Sequence, residues 1–411
     1  MIIQSTYVQF LRDNAPFLAA GALLAALSSF GQTFLISVFA GEIRAEFGLS
    51  NGDWGLLYMV ATMASAAVMV WGGSLTDRFR ARDLGVTILG LLALTCLAMA
   101  WNTHVIGLLL VIFFLRFFGQ GMSSMISVVA ISRWFIATRG RALAIAALGF
   151  ISAEMVLPVT TVWIKSHVDW RSIWVGFAYI ILALIPLLWM LLKLERTPQA
   201  TAQHDIATGM NARHWTRAQA LRHPLFWVLA LSMALFPMMA TTFWFHQVHF
   251  AEIKGWDHLT LVAVLPLGTA SFMASNFLFG WAVDRFGVSR LLLVYLLPYT
   301  VAFVMHGFAT SIVWTAIGVM LMGLAGGGQS TLPGSVWSTY FGTAHIGAIK
   351  SAAMALAVLG SAIGPGLSGW LIDAGVGYEN QLLAYSSTFV FASLAMIIPL
   401  RRANAQLAAP A

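Results

Sequence analysis

The chain has 411 residues, of which 60% are hydrophobic and only 9% are charged. Soluble domains carry about a quarter charged residues, so this composition excludes a water-soluble globule and indicates a protein folded in lipid. The net charge of +7 comes from Arg and Lys in the loops between apolar runs; we attribute it to membrane topology and expect no nucleic-acid partner.

Apolar runs long enough to cross a bilayer follow one another along the whole chain. A spanning helix needs roughly 20 mostly apolar residues. The runs lie near 16–40, 54–75, 84–103, 105–131, 142–164, 172–193, 224–250, 259–282, 291–309, 312–339, 347–371 and 381–400. They predict an all-α membrane protein with twelve transmembrane helices. The first run is too long for the apolar region of a signal peptide, so we expect it to be retained.

A short loop after the second run occurs again after the eighth. The residues Gly73-Ser-Leu-Thr-Asp77-Arg78 and Gly280-Trp-Ala-Val-Asp284-Arg285 are 207 positions apart. The same offset relates Gly140 to Gly347 and Pro158 to Pro365. The sequence therefore predicts two six-helix pseudo-repeats, and a duplicated membrane bundle is typical of a carrier.

Two charged residues are predicted to lie deep in the hydrocarbon, Arg116 in the fourth run and Glu154 in the fifth. Counting about 1.5 Å per residue puts Arg116 about 16 Å from the outer face and Glu154 about 19 Å from the inner face of a core about 30 Å thick. Because an unpaired charge at this depth is costly, we expect an Arg116–Glu154 ion pair. It is either a proton switch coupled to substrate or a static pair that holds two helices together.

A polar stretch, residues 195–223, separates the sixth run from the seventh. We interpret it as a cytoplasmic linker between an N-terminal half, residues 1–194, and a C-terminal half, residues 224–411. It includes a predicted amphipathic helix near residues 212–221, lying at the membrane surface. With the N-terminus in the cytoplasm, most cations fall on the inner side, while Arg44, Lys165, Arg171 and Lys254 fall outside. The positive-inside rule then predicts a multi-pass protein of the plasma (inner) membrane with both termini cytoplasmic.

The two loops carry a family resemblance. Gly73, Asp77, Arg78 and Arg82 match the signature Gly-x-x-x-Asp-Arg/Lys loop of the major facilitator superfamily, which the chain resembles along its whole length. The second copy matches at Gly280, Asp284 and Arg285. The resemblance implies a major facilitator fold. It also implies that these loops act as a conformational latch, in which a carboxylate is stabilised in one state and released in the other.

The resemblance also implies where substrate and protons meet the chain. The first, fourth and tenth helices line the central cavity in this superfamily, and they carry Gln32, Gln120 and Gln329 here. Each amide either orients a ligand or bonds a neighbouring helix. His246 in the seventh run is a candidate proton-relay histidine, with interfacial packing as the other interpretation. Lys350 is a possible gate or a side chain that reaches the interface.

Two longer stretches, Arg133 to Ile145 and Tyr340 to Lys350, resemble the branch of monocarboxylate and oxalate/formate porters. That branch is expected to hold an organic anion with an Arg in the eighth helix, yet residues 261–283 contain no cation. The resemblance thus favours a small organic anion as substrate. A proton-driven exporter of an amphipathic or drug-like compound is the rival hypothesis.

Other classes of function lack their motifs. The glycine-rich segment 326–331 has no phosphate-loop lysine, and the chain has no His-Glu-x-x-His or Gly-x-Ser-x-Gly sequence. We therefore predict no ATP-driven pump and no enzyme; a channel or receptor is a less favoured class than the carrier. The prediction is a monomeric secondary active transporter, coupled to protons through Glu154, with no cofactor and no bound metal.

Overall fold

The computed structural model describes residues 2–73, 75–135, 138–193 and 208–408, without the side chains of residues 2–8, 70, 77, 139 and 140. The secondary structure within these ranges is helical. Twelve long helices are α1 Ile2–Leu27, α2 Asn51–Gly72, α3 Ala81–Trp101, α4 Val105–Trp134, α5 Arg139–Lys165, α6 Trp170–Leu191, α7 Pro224–Phe245, α8 His258–Phe286, α9 Val288–Gly307, α10 Ile312–Phe341, α11 Ile346–Asp373 and α12 Tyr378–Ala408.

The predicted twelve-helix architecture is confirmed. Among the described residues, 11 helices are long and apolar enough to span a membrane. The remaining one, α2, has 22 residues, which at 1.5 Å per residue is about 33 Å and matches the hydrocarbon thickness.

The two pseudo-repeats share their secondary structure as well as their loops. A short helix after α1, Ala40–Phe47, ends at Gly48, whose φ is 65°. Its counterpart after α7, Gln247–Lys254, ends at Gly255, whose φ is 67°. The offset between the two glycines is again 207 positions. Glycine is favoured at both helix ends because the left-handed conformation costs a side chain free energy.

The chain forms two compact units. Unit 1 comprises residues 1–49 and 60–203, and unit 2 comprises residues 50–59 and 204–411. The beginning of α2 therefore packs with the C-terminal helices. Of the predicted linker, residues 195–207 lie outside the described residues, while residues 208–223 belong to unit 2.

In unit 1, helix α1 packs closely against α4 and α5. Ser123 and Ser127 of α4 donate hydrogen bonds to the α1 carbonyls of Leu24 and Gly21, at 2.8 and 2.7 Å. A Cβ atom on Gly149 of α5 would lie 2.6 Å from the carbonyl carbon of Ala22. Small residues at helix crossings let membrane helices approach backbone to backbone.

In unit 2, the glycine-rich helix α10 packs closely against α8. A Cβ on Gly323 would lie 2.9 Å from the nitrogen of Phe272, and one on Gly327 would lie 2.6 Å from the carbonyl carbon of Ser275. Ser275 also donates a hydrogen bond of 2.5 Å to the carbonyl of Leu324. These contacts form the centre of unit 2.

Ion pairs fix the helix ends on the predicted outer side of each unit. In unit 1, Lys165 pairs with Glu42 at 2.8 Å and Arg171 pairs with Glu46. In unit 2, Lys254 pairs with Glu379. Lys165, Arg171 and Lys254, all predicted to lie outside, therefore have carboxylate partners within their own unit.

Candidate functional site

The backbone of α1 and α4 is irregular where the two helices meet. After α1 ends at Leu27, the chain makes a 3-10 turn, Ser28–Gly31, and Gln32 is extended, with φ −87° and ψ 151°. Opposite this break, α4 is π-helical over Leu115–Ser123. Long π-helical segments are rare and occur mostly at functional sites. Irregular backbone inside a membrane is tolerated where it is buried or lines a cavity.

Two glycines make this crossing possible. A Cβ on Gly119 would lie 2.6 Å from the Cα of Gly31, and a Cβ on Gly31 would lie 2.8 Å from the backbone nitrogen of Gln120. Real Cβ atoms essentially never come so close to backbone atoms. The two backbones are therefore in direct contact, and a larger side chain at either position would separate the helices.

Arg116 lies at this crossing and is 2% exposed. Its Nη1 donates hydrogen bonds to the carbonyl of Gly31 at 3.1 Å and to Oγ1 of Thr33 at 3.3 Å. These acceptors lie on either side of the extended residue Gln32, where the regular helical hydrogen-bond pattern is interrupted. The break in α1 thus supplies neutral oxygens that orient the guanidinium group.

The predicted Arg116–Glu154 ion pair is not formed: among the described residues, no salt bridge joins the two side chains. Glu154 is half-buried on α5. Equal depth along the membrane normal does not determine which side of its helix each residue occupies. The oxygens of the α1 break contact the guanidinium group instead.

Two of the predicted glutamines lie in the backbone segments that meet at this crossing. Gln32 directly follows Gly31, whose carbonyl contacts Arg116, and Gln120 is one π-helical turn after Arg116; both side chains are half-buried. The two segments of this crossing therefore carry one cation and two amide-bearing residues. Such a group can bind a carboxylate by charge and by hydrogen bonding.

Gln329 lies in a different place, within unit 2. Its Nε2 donates to the carbonyl of Met233 at 3.1 Å, so the amide joins α10 to α7. Its Oε1 is buried and has no hydrogen-bond partner among the described residues. On the following residue, Ser330 Oγ donates to Oδ1 of Asn276 in α8. Sequence reasoning missed Asn276, although it is an uncharged polar residue inside a predicted span.

His246 is 3% exposed at the end of α7, and its Nε2 is 3.1 Å from the carbonyl of Pro365 in α11. Because a carbonyl can only accept, Nε2 carries the proton in this contact. The geometry matches the packing interpretation of His246. Lys350 is half-buried at the start of α11 and has no ion pair with any described residue.

The first latch loop forms one helical turn, Leu75–Arg78, after Gly73. Arg133 at the end of α4 donates a 2.6 Å hydrogen bond to the carbonyl of Thr76, which ties the loop to α4. The side chain of Asp77 lies outside the described residues. Arg82 pairs with its neighbour Asp83 at 2.9 Å.

The second latch loop contains Gly280, Asp284 and Arg285 in the last turns of α8, which ends at Phe286 before Gly287, φ 77°. The side chains of Asp284 and Arg285 are exposed, and neither forms an ion pair with a described residue. The latch role of both loops remains a prediction.

One polar contact in unit 2 was not predicted. Asp373, the last residue of α11, accepts hydrogen bonds from Ser50 Oγ at 2.5 Å and from the backbone N–H of Gly52 at 2.8 Å. Ser50 and Asp53 also bond each other reciprocally, in the manner of a capping box. The sequence Ser-x-x-Asp at 50–53 signalled the cap, but nothing in the sequence pointed to Asp373.

Removing the carboxylate of Asp373 is expected to loosen the start of α2. Asp373→Ala should lower stability by about 1–2 kcal/mol, because the N–H of Gly52 and the hydroxyl of Ser50 lose their acceptor. Thermal unfolding of purified Asp373→Ala, Ser50→Ala and the double variant measures the coupling between them. Asp373→Asn keeps an acceptor oxygen and should lose less. Additive losses from the two single changes would contradict the contact.

The glycine crossing supports a second stability prediction. Gly31→Leu should separate α1 from α4 and lower stability by about 3 kcal/mol, the upper end of the usual range for overpacking. The matched control is Gly90→Leu in α3, since a Cβ at Gly90 meets nothing within 4 Å. Yield and melting temperature in detergent are the measurements. Equal behaviour of the two variants would contradict the close crossing.

Known proteins resemble this chain along most of its length. The family model described as Major Facilitator Superfamily matches residues 21–281. A curated relative, Monocarboxylate transporter 13 of Bos taurus, is 22% identical over 386 residues, which is 93% of this chain and 87% of that protein.

Solved structures show the same fold. A bacterial homolog of the human lysosomal transporter Spinster, inward-facing and unoccupied, superposes with a TM-score of 0.70 and 16% identity over 97% of this chain and 99% of that chain. The nucleoside transporter NupG gives a TM-score of 0.69 with 14% identity, over 93% of this chain and 100% of that chain.

Proposed function

We propose, because this chain belongs to the Major Facilitator Superfamily, that it is a secondary active transporter that moves a small, monocarboxylate-like anion by alternating access. The family match and the apolar helices show a multi-pass membrane transporter of this superfamily. The substrate, the proton coupling and the sidedness are the proposal.

The observation that supports an anionic substrate is the position of Arg116. Its guanidinium group is buried within a membrane-spanning helix, in a π-helical segment opposite the break in α1. Ionisable groups at such places are functional candidates because they are costly to keep there. Gln32 and Gln120, half-buried in the same two segments, are the candidate donors for a second carboxylate oxygen. The name of the bovine relative, a monocarboxylate transporter, agrees with this substrate class.

Proton coupling is assigned to Glu154. Its carboxyl group lies half-buried within a spanning helix and has no ion pair with the described residues. A lone carboxyl group in such a position is less costly with a proton than without one, so it can take up and release a proton during the cycle. The proposal puts both termini in the cytoplasm, which the excess of Lys and Arg on that side supports, and the protein in the plasma (inner) membrane.

A proton-driven exporter of an amphipathic compound is the alternative. The observation that favours it is α8, which contains no cation between residues 261 and 283, and the anion-porter branch is expected to have an Arg there. In the anion proposal, Arg116 in unit 1 binds the substrate anion, which is the role expected of an Arg in the eighth helix.

A ligand screen on the purified protein decides between the two substrates. A ligand that binds only the folded state raises the melting temperature in proportion to the logarithm of its concentration over its Kd. We expect monocarboxylates to raise it and lipophilic cations to have no effect. Saturable counterflow of a labelled monocarboxylate in proteoliposomes then distinguishes a carrier from a channel. Stabilisation by lipophilic cations alone would refute the anion proposal.

A further inference from the structure

The end of the linker is part of the folded unit 2. The backbone N–H of Trp215 donates to the carbonyl of Phe341 at the end of α10, at 3.1 Å. The indole N–H of Trp215 donates to the carbonyl of Met210 at 3.2 Å. A Cβ on Gly209 would lie 2.6 Å from the nitrogen of Gly342. With Met210 at 0% and Trp215 at 5% exposure, this segment is anchored to the end of α10.

The anchored segment has an unusual backbone. Asn211 and Ala212 have positive φ values, 57° and 50°. Such conformations cost free energy for residues other than glycine, and they persist where surrounding contacts determine them. The contacts of Met210 and Trp215 on either side provide that determination. These contacts therefore hold the segment against the end of α10, and the residues that follow extend from there.

Three arginines extend from this scaffold. A capping box of Thr216 and Gln219 starts the short helix Arg217–Arg222, whose Ala220 is buried against unit 2. Arg213, Arg217 and Arg222 are exposed, and Arg213 lies over the ring of Trp215 at 4.4 Å. Among the described residues, no carboxylate forms a salt bridge with these three side chains. Within the described part of the chain, this positive surface has no carboxylate partner.

The arginines lie at the level of the membrane surface. Spanning helix α7 begins at Pro224, two residues after Arg222. Trp227 is 43% exposed and its indole N–H donates to the carbonyl of Leu221 at 2.8 Å, so it links the two helices. Exposed Trp at the end of a spanning helix marks the headgroup region.

Histidine contributes little to this positive surface. The pKa of His223 is lowered by burial and, second, by the charge of Arg213. Its Nδ1 accepts a 3.2 Å hydrogen bond from the N–H of Leu225, which also requires an unprotonated nitrogen. At neutral pH the charge therefore comes from the arginines.

We propose that Arg213, Arg217 and Arg222 form a binding surface for the phosphate groups of anionic phospholipids. Guanidinium groups bind phosphate oxygens in a bidentate manner, and the anchored segment fixes the backbone from which the three side chains extend. The surface is separate from the transported substrate and from Arg116. It goes beyond the proposed function, because it concerns what holds the linker to the membrane.

The test is a titration of the purified full chain in detergent with phosphatidylglycerol, with phosphatidylcholine and with inorganic phosphate. Binding is followed by native mass spectrometry and by melting temperature. Phosphatidylglycerol should bind and stabilise the wild type, and the other two should not. Removing all three charges, in R213Q/R217Q/R222Q, should weaken the phosphatidylglycerol affinity by roughly a hundredfold, about fivefold per arginine.

Two variants separate a local surface from overall charge. R213K/R217K/R222K keeps the charge and should retain most of the affinity. R12Q/R80Q/R141Q removes three exposed arginines of unit 1 and should change the affinity by less than about twofold. If the triple glutamine variant does not fold, R217Q and R222Q singly should each give the fivefold loss. Unchanged affinity in those variants, equal losses in the unit 1 control, or an equal response to inorganic phosphate would overturn the proposal.

Discussion

Replacing Arg116 with glutamine is expected to abolish monocarboxylate counterflow. Arg116 is buried at the crossing of α1 and α4, where its guanidinium group is oriented by Gly31 and Thr33. Losing one member of a buried charge pair costs about 2–5 kcal/mol, which corresponds to a loss of roughly thirtyfold to several thousandfold in affinity for the anion. The measurement is the initial rate of labelled monocarboxylate exchange in proteoliposomes as a function of substrate concentration.

Two controls separate recognition from folding. Thr33→Val removes one hydroxyl acceptor but leaves the charge of Arg116 and its bond to Gly31, so exchange should fall much less than in Arg116→Gln. Arg116→Lys keeps the charge and loses the planar fork, so exchange should be intermediate. Melting temperature is measured for each variant. Normal exchange by a folded Arg116→Gln protein would show that the substrate anion is bound elsewhere.

Replacing Glu154 with glutamine is expected to uncouple transport from protons. The amide has the shape of the protonated carboxyl group but cannot release a proton. The variant should therefore carry out only those steps of the transport cycle in which residue 154 is uncharged. Uphill accumulation driven by a pH gradient should disappear, and exchange of labelled substrate at equal pH should remain near the wild-type rate. Both are measured in the same proteoliposomes, with and without an imposed pH difference.

The control for this change is Glu252→Gln. Glu252 is a carboxylate on the short helix after α7, with a side chain that is 53% exposed. Glu252→Gln is the same chemical change as Glu154→Gln, but it should leave uphill accumulation of substrate intact. An exposed carboxyl group exchanges protons with solvent in every conformation of the transporter. Accumulation that survives Glu154→Gln would reduce Glu154 to a structural residue, and loss of both activities would indicate a folding defect.

The structure also shows why one sequence prediction was correct and another was wrong. A helix that crosses the bilayer needs a long apolar run. The twelve runs therefore predicted the twelve helices. The Arg116–Glu154 pair was inferred from equal depths. An α-helix turns about 100° per residue, so a small uncertainty in rotation moves a side chain to another face of its helix.

The break in α1 had a faint sequence signal. The first apolar run contains a cluster of small and polar residues: Ser28, Ser29, Gly31, Gln32 and Thr33. Such residues are tolerated in regular membrane helices too, so their pattern predicted no break. The acceptors of Arg116 are consequently a backbone carbonyl and a neighbouring hydroxyl that only the fold identifies.

The amino-acid sequence by itself determined the membrane class, the twelve helices, the duplication at an offset of 207 positions and the family. These properties depend on local composition and on repeated spacing, which are visible without coordinates. The tertiary structure decided the partners of Arg116, the contact of Asp373 with Ser50 and Gly52, and the anchoring of the linker on α10. Those depend on helix rotation and on close backbone approach between residues that are distant in the chain, and hydrophobic periodicity contains neither.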